Sequence, residues 1–368
     1  MNHDQRILLE TNGMKTGIWA AATLAVSGMA CGAAWAQSSV TLYGVVDAYV
    51  GNVRVGDKSV TAMGDGGNAA SRIGFRGTED LGGGNKVGFV LESGLFVQNG
   101  QGTIPGPGMA WTRQSYLSAE GHWGKLEMGR MYTPMFFTLF RTDPFGMNAV
   151  FSPLNAVSGT DAQPGLRAFA ARSSNMFRYH LPASWPVAAS LAYAPGDTTS
   201  NTVKRSAFMG GNVGWTQGGL FLGYAFQRFN EGAEAAITGP LGRSTYQTLS
   251  AAYQWTQLRV SGNYIRKTSN LDGVPTGQLF SLSASYAYSP TLTVMAEAVR
   301  RKVNGSARSQ NVLALGFDHN LSKRTALYGR LLYLSNAANA SATLGGAVVT
   351  PNSGDNVRLV GLGIRHMF

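Results

Sequence analysis

The sequence predicts an all-β protein, a sixteen-stranded antiparallel transmembrane β-barrel, and three observations support that fold class. Sixteen short runs of alternating apolar and polar residues follow one another through residues 40–368. The connections between these runs alternate between short turns and longer loops. The composition is slightly hydrophilic, with a mean hydropathy of −0.05, and no later run has the roughly 20 apolar residues of a transmembrane helix. This combination is typical of a barrel with a wet inside and an apolar outside.

Residues 1–36 have the pattern of a secretory signal peptide and are not expected to belong to the barrel. Lys15 precedes an apolar run over residues 17–34, and Ala34-Trp35-Ala36 follows as a cleavage site of small residues. Cleavage there leaves residues 37–368 as the mature chain, which contains no linker that would separate two domains. Cys31 is the only cysteine, so the mature chain has no disulfide, thiol nucleophile or cysteine metal site.

The net charge is strongly positive. The chain has 30 basic and 19 acidic residues, which gives a formal net charge of +11. This charge suits anionic solutes and surfaces. A nucleic-acid partner is not expected, because an exported chain rarely meets nucleic acid.

The predicted strands have a period of two, so that each presents one apolar face and one small or polar face. The run Leu249, Ala251, Tyr253 and Trp255, for example, forms an apolar stripe that ends in aromatics. The sixteen runs are 40–48, 71–78, 87–92, 111–120, 123–130, 172–181, 187–194, 204–215, 219–229, 244–255, 257–267, 277–288, 292–303, 309–319, 324–335 and 356–368.

The lengths of the connections separate a barrel from a β-sandwich, whose core would show the same stripes. Short turns at 79–84, 121–122, 216–218, 256, 289–291 and 320–323 interleave with longer connections at 51–69, 98–110, 230–243, 268–276 and 336–355. A membrane barrel keeps its long loops on one side, whereas a sandwich has no reason to do so. Closure also leaves no unpaired strand edge to face lipid.

Residues 131–171 interrupt the strand pattern. This stretch contains four prolines, a cluster of six aromatics between Tyr132 and Phe151, and the acids Asp143 and Asp161. A loop of this length in a compact domain is functional or disordered, and the aromatics argue against disorder because they can bury apolar surface. We expect the stretch to fold against the barrel as a channel wall. A surface excursion or a small helical lid is the alternative.

Several motifs resemble those of one family. They are Val40-Thr41-Leu42-Tyr43-Gly44-Val45-Val46-Asp47-Ala48, the stretch from Ser71-Arg72-Ile73-Gly74 to Leu81-Gly82-Gly83-Gly84, Leu91-Glu92-Ser93-Gly94, Gly129-Arg130, Arg172-Ser173-Ser174-Asn175 and the closing Gly361 to Phe368. Together they resemble the general trimeric porins of Gram-negative outer membranes, in the anion-selective branch. The sequence departs from that pattern at Met131, where relatives usually carry Gln.

The resemblance implies an outer-membrane homotrimer that passes small hydrophilic solutes and anions by passive diffusion. It also implies that a third external loop, residues 131–171, folds inward and narrows the pore. The subunits would contact membrane lipid and lipopolysaccharide. The terminal Phe368 would be the signal for the barrel-assembly machinery. No cofactor is implied.

The same resemblance assigns the pore constriction to charged residues. It matches Arg72, Arg113 and Arg172 to the arginines of the constriction, with Glu92 and a loop acid as counter-charges. The further candidates are Arg76, Arg130, Arg178, Asp143 and Asp161. Strand alternation alone puts Arg72 and Glu92 on the inner face and groups Arg172 with Ser174, Met176 and Arg178. It turns Arg130 outward unless a bulge at Gly129 reverses it.

The residues show no catalytic constellation, so an enzyme is not expected. The five histidines lie on separate turns and strand ends, which disfavours a metal site. Gly82-Gly83-Gly84 has no helix behind it, which disfavours a phosphate-binding loop. Two other functions stay open. One is a substrate-selective channel for phosphate or organic anions, and the other is an adhesin or receptor role through the long loops.

Overall fold

The computed structural model describes residues 39–103, 110–159, 170–195, 207–230, 243–270, 276–304, 307–341, 349 and 351–368. The predicted signal peptide lies outside the described residues. Seventeen strands are described: β1 (Ser39–Val55), β2 (Lys58–Asp65), β3 (Arg72–Gly82), β4 (Asn85–Gly94), β5 (Gln114–Gly121), β6 (Gly124–Tyr132), β7 (Arg172–His180), β8 (Val187–Ala194), β9 (Phe208–Gln217), β10 (Leu220–Asn230), β11 (Arg243–Gln254), β12 (Leu258–Ser269), β13 (Gly277–Ala287), β14 (Leu292–Val303), β15 (Gln310–Asn320), β16 (Thr325–Asn336) and β17 (Val357–Met367).

The sheet closes on itself through β1. Its first half, Ser39 to Val45, pairs antiparallel with β3, and its second half, Val45 to Val55, pairs antiparallel with β17. The strands from β3 to β17 each pair antiparallel with the next in sequence. β1 and β3–β17 therefore form the predicted sixteen-stranded closed barrel, which is confirmed.

β2 is an additional strand that alternation did not predict. It pairs with Ala48 to Val55 of β1. β2 itself lies within residues 51–69, which were predicted to be a loop. That part of the prediction was wrong because β1 continues to Val55 and turns back at Gly56-Asp57. Gly56 has φ +54°, a left-handed conformation that suits a tight hairpin turn.

The two faces of the barrel differ as the period of two predicts. Large apolar side chains are exposed on one face, for example Leu249, Leu282 and Leu362 at 59–65 %. The neighbouring Ser250 and Ser283 point to the opposite face and are buried. In water such an apolar exterior would aggregate, whereas in a bilayer it faces lipid.

The stretch that follows β6 contains two short helices, α1 (Pro134–Phe140) and α2 (Pro153–Gly159). Thr133 caps α1 by accepting the Phe136 N–H at 3.4 Å, and Pro134 occupies the first turn, where no N–H is needed. No helix in the described part of the chain is long and apolar enough to cross a membrane.

The segment containing α1 and α2 packs on the face opposite the exposed apolar side chains. Thr142 Oγ1 donates to Asn263 Oδ1 of β12 at 2.7 Å, and Ser283 Oγ of β13 donates to the Thr142 carbonyl at 3.2 Å. Farther along, the Phe151 ring meets Tyr49 of β1 edge-on, with centroids 5.3 Å apart. These contacts attach the segment to β12, β13 and β1.

Candidate functional site

Glu92 is the centre of the charged cluster that the sequence predicted. Its side chain lies near the end of β4 and is 3 % exposed. Arg113 Nε donates to Glu92 Oε1 at 2.7 Å, and Arg72 Nε lies 3.4 Å from Oε2. The Tyr43 hydroxyl donates to the same Oε2 at 3.1 Å. The two cationic partners and the Tyr43 hydroxyl replace the water that the carboxylate loses on burial.

A glycine makes room for this arrangement. Gly74 of β3 pairs with both Tyr43 of β1 and Glu92 of β4. A Cβ atom at Gly74 would lie 2.5 Å from Cζ of Tyr43. Only glycine at this position lets the Tyr43 ring cross β3 and reach the carboxylate.

Tyr132 joins two of the predicted arginines to the helical segment. Its hydroxyl accepts Arg113 Nη2 at 2.7 Å and also accepts Arg172 Nη2. The Arg172 guanidinium lies over the Tyr132 ring, 4.1 Å from its centroid, which is close enough for a cation–π interaction. Phe136 of α1 also stacks on the Tyr132 ring, with centroids 4.2 Å apart. The start of the helical segment is therefore fixed to the arginine cluster.

The cluster brings three guanidiniums together with one carboxylate. Arg72, Arg113 and Arg172 bring three positive charges, and Glu92 brings one negative charge, so the cluster is cationic overall. Arg72 has a side-chain exposure of 26 %, against 5 % for Glu92. Solvent is therefore more accessible to the Arg72 guanidinium than to the Glu92 carboxylate.

Comparison with known proteins identifies the family. A family described as Gram-negative porin matches residues 20–339. Outer membrane porin protein 32 of Delftia acidovorans is 32 % identical over 373 residues, covering 96 % of this chain and 100 % of that protein. The solved structure of an anion-selective porin from Comamonas acidovorans aligns with a TM-score of 0.80 at 28 % identity, covering 90 % of this chain and 100 % of that one. The chain belongs to the Gram-negative porins.

Family membership settles the broad role. This porin is an outer-membrane channel protein for passive diffusion, and it is not an enzyme. An outer membrane porin of Bordetella pertussis is 27 % identical over 412 residues and covers 96 % of this chain. An outer membrane protein of Vibrio cholerae, with a TM-score of 0.63 and 16 % identity, shares the fold.

Two of the other predicted arginines lie beside the cluster. Arg76 is exposed and sits over the Tyr43 ring, 5.4 Å from its centroid. Arg130 donates through Nη1 to Ser174 Oγ at 2.9 Å and through Nε to the Thr112 carbonyl. The bulge that the sequence suggested at Gly129 is present, since the β6–β7 register shifts there and Gly129 has φ +140°.

Alternation along β7 fails at one residue. Asn175 has φ +55°, so the chain does not alternate simply between Ser174 and Met176. Ser174 is exposed whereas Met176 is fully buried. The sequence grouped Arg172, Ser174, Met176 and Arg178 on one face. Ser174 does not share the burial of Met176 and Arg178, because the left-handed Asn175 interrupts the alternation.

Arg178 belongs to a separate ion-pair cluster in this porin. Its Nε donates to Glu127 Oε2 at 2.7 Å, and its Nη1 donates to the Tyr132 carbonyl at 2.6 Å. Lys125 and His180 also contact the Glu127 carboxylate, at 2.9 Å each. Sequence reasoning missed Glu127, although alternation from Lys125 would have placed the two on one face.

The predicted loop acids have different outcomes. Asp143 is 5 % exposed and accepts the N–H groups of Phe145 at 2.7 Å and Met147 at 2.6 Å, and the Ser152 hydroxyl at 2.6 Å. These hydrogen bonds hold the loop from within, and burial raises the pKa of the Asp143 carboxyl above the ordinary value. Asp161 lies outside the described residues.

Among the described residues, no group of three or more His, Cys, Asp or Glu side chains is placed to hold a metal.

Proposed function

We propose that this porin is an anion-preferring diffusion channel for small hydrophilic solutes, and that residues 131–171 fold inward as its constriction. The observation that supports the proposal is the cationic cluster of Arg72, Arg113 and Arg172 around Glu92. The relative from Comamonas acidovorans is itself an anion-selective porin. Hydrogen bonds such as Thr142 to Asn263 support the inward path of the loop.

Charges in a narrow passage act on a permeant ion more strongly than charges on an open surface. Salt screens exposed charges over about 8 Å at physiological ionic strength, whereas low-dielectric walls focus the field in a passage. Rings of arginine or lysine side chains are one way to make an anion pore. Arg72, Arg113 and Arg172 come from three separate strand ends, so their charges add at one place along the passage.

Neutralising the cluster tests this proposal. The triple variant Arg72→Gln, Arg113→Gln and Arg172→Gln should move the zero-current potential in a planar bilayer toward cation preference. The shift should be larger at low salt than at high salt, because ions screen the remaining charges. Glutamine keeps hydrogen-bond donors for Tyr132, which limits damage to the local structure.

A matched control uses three cations that lie in open water. Arg54 and Lys58 lie at the β1–β2 hairpin, and Arg243 starts β11; all three are exposed. Their joint replacement by Gln should change the zero-current potential much less. An unchanged potential in the cluster variant, together with a large shift in the control, would show that the constriction is assigned to the wrong residues.

The assembly state and partners are also part of the proposal. We infer a homotrimer in contact with outer-membrane lipid and lipopolysaccharide, inserted by the barrel-assembly machinery through its terminal Phe368. Family membership supports the trimer. The Phe368 backbone pairs with Gly44 of β1 through two hydrogen bonds of 3.1 Å, so the last residue takes part in barrel closure.

A further inference from the structure

A second pair of arginines lies inside the barrel, away from the predicted constriction. Arg141 follows α1, and Arg259 lies on β12, two residues from the turn at its start. Arg259 Nη2 donates to the Arg141 carbonyl at 2.8 Å. Arg141 Nη2 donates to Thr216 Oγ1 at the end of β9, at 3.2 Å. Both contacts place the pair at the end of the barrel where the strand connections are short.

Neither guanidinium has an acidic partner in the described part of the chain. No described carboxylate lies within 4.0 Å of Arg141 or Arg259, whereas Arg72, Arg113, Arg178 and Arg330 each have one. A guanidinium carries five N–H donors, and each of these two has one described acceptor. Two like charges held together repel, and an anion placed between them would relieve that repulsion.

An aromatic ring fixes the first of these arginines. The Arg141 guanidinium lies over the Phe221 ring, 4.2 Å from its centroid. Phe221 is 3 % exposed and pairs with Thr216 across β9 and β10, so the ring and the Thr216 hydroxyl hold the guanidinium from two sides. A guanidinium held in this way loses little conformational entropy when it binds an anion.

A cavity opens beside Arg141. It has a volume of about 420 Å³ and contains both polar and apolar groups. Its polar groups include His180, Ser190 and Asn212, and its apolar groups include Trp185 and Phe221. This size falls within the usual range for small-molecule sites, which combine an apolar lining with a few polar groups.

We propose that this cavity, with Arg141 in its lining and Arg259 bonded to the Arg141 carbonyl, is a second anion site that binds small organic carboxylates carrying an apolar or aromatic part. The carboxylate contacts the two guanidiniums, and the apolar part enters the cavity beside Trp185 and Phe221. The site rests on the proposed channel function, because its ligand arrives through the lumen. It adds a saturable binding step to the diffusion path, on the short-turn side of the helical segment.

Benzoate is a suitable probe, and benzamide is its neutral counterpart of similar shape. Benzoate should reduce the single-channel chloride current in a saturable way, whereas benzamide should not. Arg141→Gln and Arg259→Gln should each raise the benzoate concentration that gives half block by about tenfold, since each removes a charge-assisted hydrogen bond. Arg324→Gln is the matched control, because Arg324 is exposed in the short turn before β16.

Fluorescence gives an independent readout on the purified porin. Benzoate should change the tryptophan emission, and Trp185→Phe should remove that change, since Trp185 lines the cavity. Wild-type block in both arginine variants would overturn the site, and so would an equal loss in Arg324→Gln. A wild-type channel that prefers anions but shows no saturable benzoate block would refute the second site alone. A channel without anion preference would refute the proposed function itself.

Discussion

Replacing Glu92 by Gln separates the structural role of the cluster from its electrostatic role. The substitution keeps the shape of the side chain and removes its charge. Arg113 loses a 2.7 Å ion pair, Arg72 loses a 3.4 Å one, and Tyr43 keeps an acceptor of lower charge. We expect the barrel to lose stability and the channel to become more anion-preferring.

The two magnitudes follow from burial and distance. Removing one partner of a buried ion pair costs about 3–5 kcal/mol, because the other charge stays buried without a counter-charge. Arg113 is 12 % exposed at its side chain, so this cost applies to its pair, whereas the more exposed Arg72 adds little. For the permeant ion, one unit charge at short range in a wet passage contributes about 1 kcal/mol, or about fivefold in relative occupancy.

Urea unfolding of the refolded barrel measures the first effect, and the zero-current potential in a salt gradient measures the second. Glu79→Gln on β3 is the control, because Glu79 is exposed and its replacement should change the free energy of unfolding by less than about 0.5 kcal/mol. If Glu92→Gln keeps wild-type stability and shifts the potential toward cations, the buried carboxylate does not hold the arginines as described.

Two further predictions concern the loop and the last strand. Burial raises the pKa of Asp143, so its contribution to stability is fully present below about pH 3.9 and is lost as the pH rises through the raised pKa. The melting temperature should therefore decrease as the pH rises above about 4, and it should decrease less in Glu297→Gln, which lacks the neighbouring carboxyl. An equal decrease of the melting temperature in the wild type and in Glu297→Gln would exclude the Asp143–Glu297 pair as the cause. Deleting Phe368 should lower the amount of heat-modifiable trimer in the outer membrane, as measured by gel electrophoresis of unheated samples. Normal trimer levels at native expression would contradict its role as an assembly signal.

The strands were predictable because the bilayer and the wet interior impose a period of two on every strand. Leu249, Tyr253 and their polar neighbours show that period without any knowledge of strand pairing. The alternation of short and long connections then gave the closed topology. The same local rule failed at two residues whose backbone lies outside the strand region. Asn175 interrupts the alternation of faces along β7, and Gly56 reverses the direction of the chain.

The path of the helical segment was not predictable in detail, because its contacts join residues far apart in the sequence. Thr142 and Asn263 are 121 positions apart, and Thr142 and Ser283 are 141 positions apart. No local pattern specifies such partners. Tyr132 illustrates the same limit, since its place in the aromatic cluster gave no sign that its hydroxyl would join Arg113 to Arg172.

The distribution of interior charge explains how a few arginines can set the preference of the channel. The structure uses four of its interior carboxylates as acceptors for neighbouring N–H and O–H groups, and these four are 0–5 % exposed: Asp47, Glu92, Glu127 and Asp143. Arg76 and Arg141, in contrast, are exposed. Because a buried, hydrogen-bonded carboxylate acts on a passing ion less than an accessible guanidinium does, the field in the water is more positive than the residue count implies. Neutralising these acids should therefore affect mainly the stability of the barrel, whereas neutralising the accessible arginines should affect mainly its selectivity.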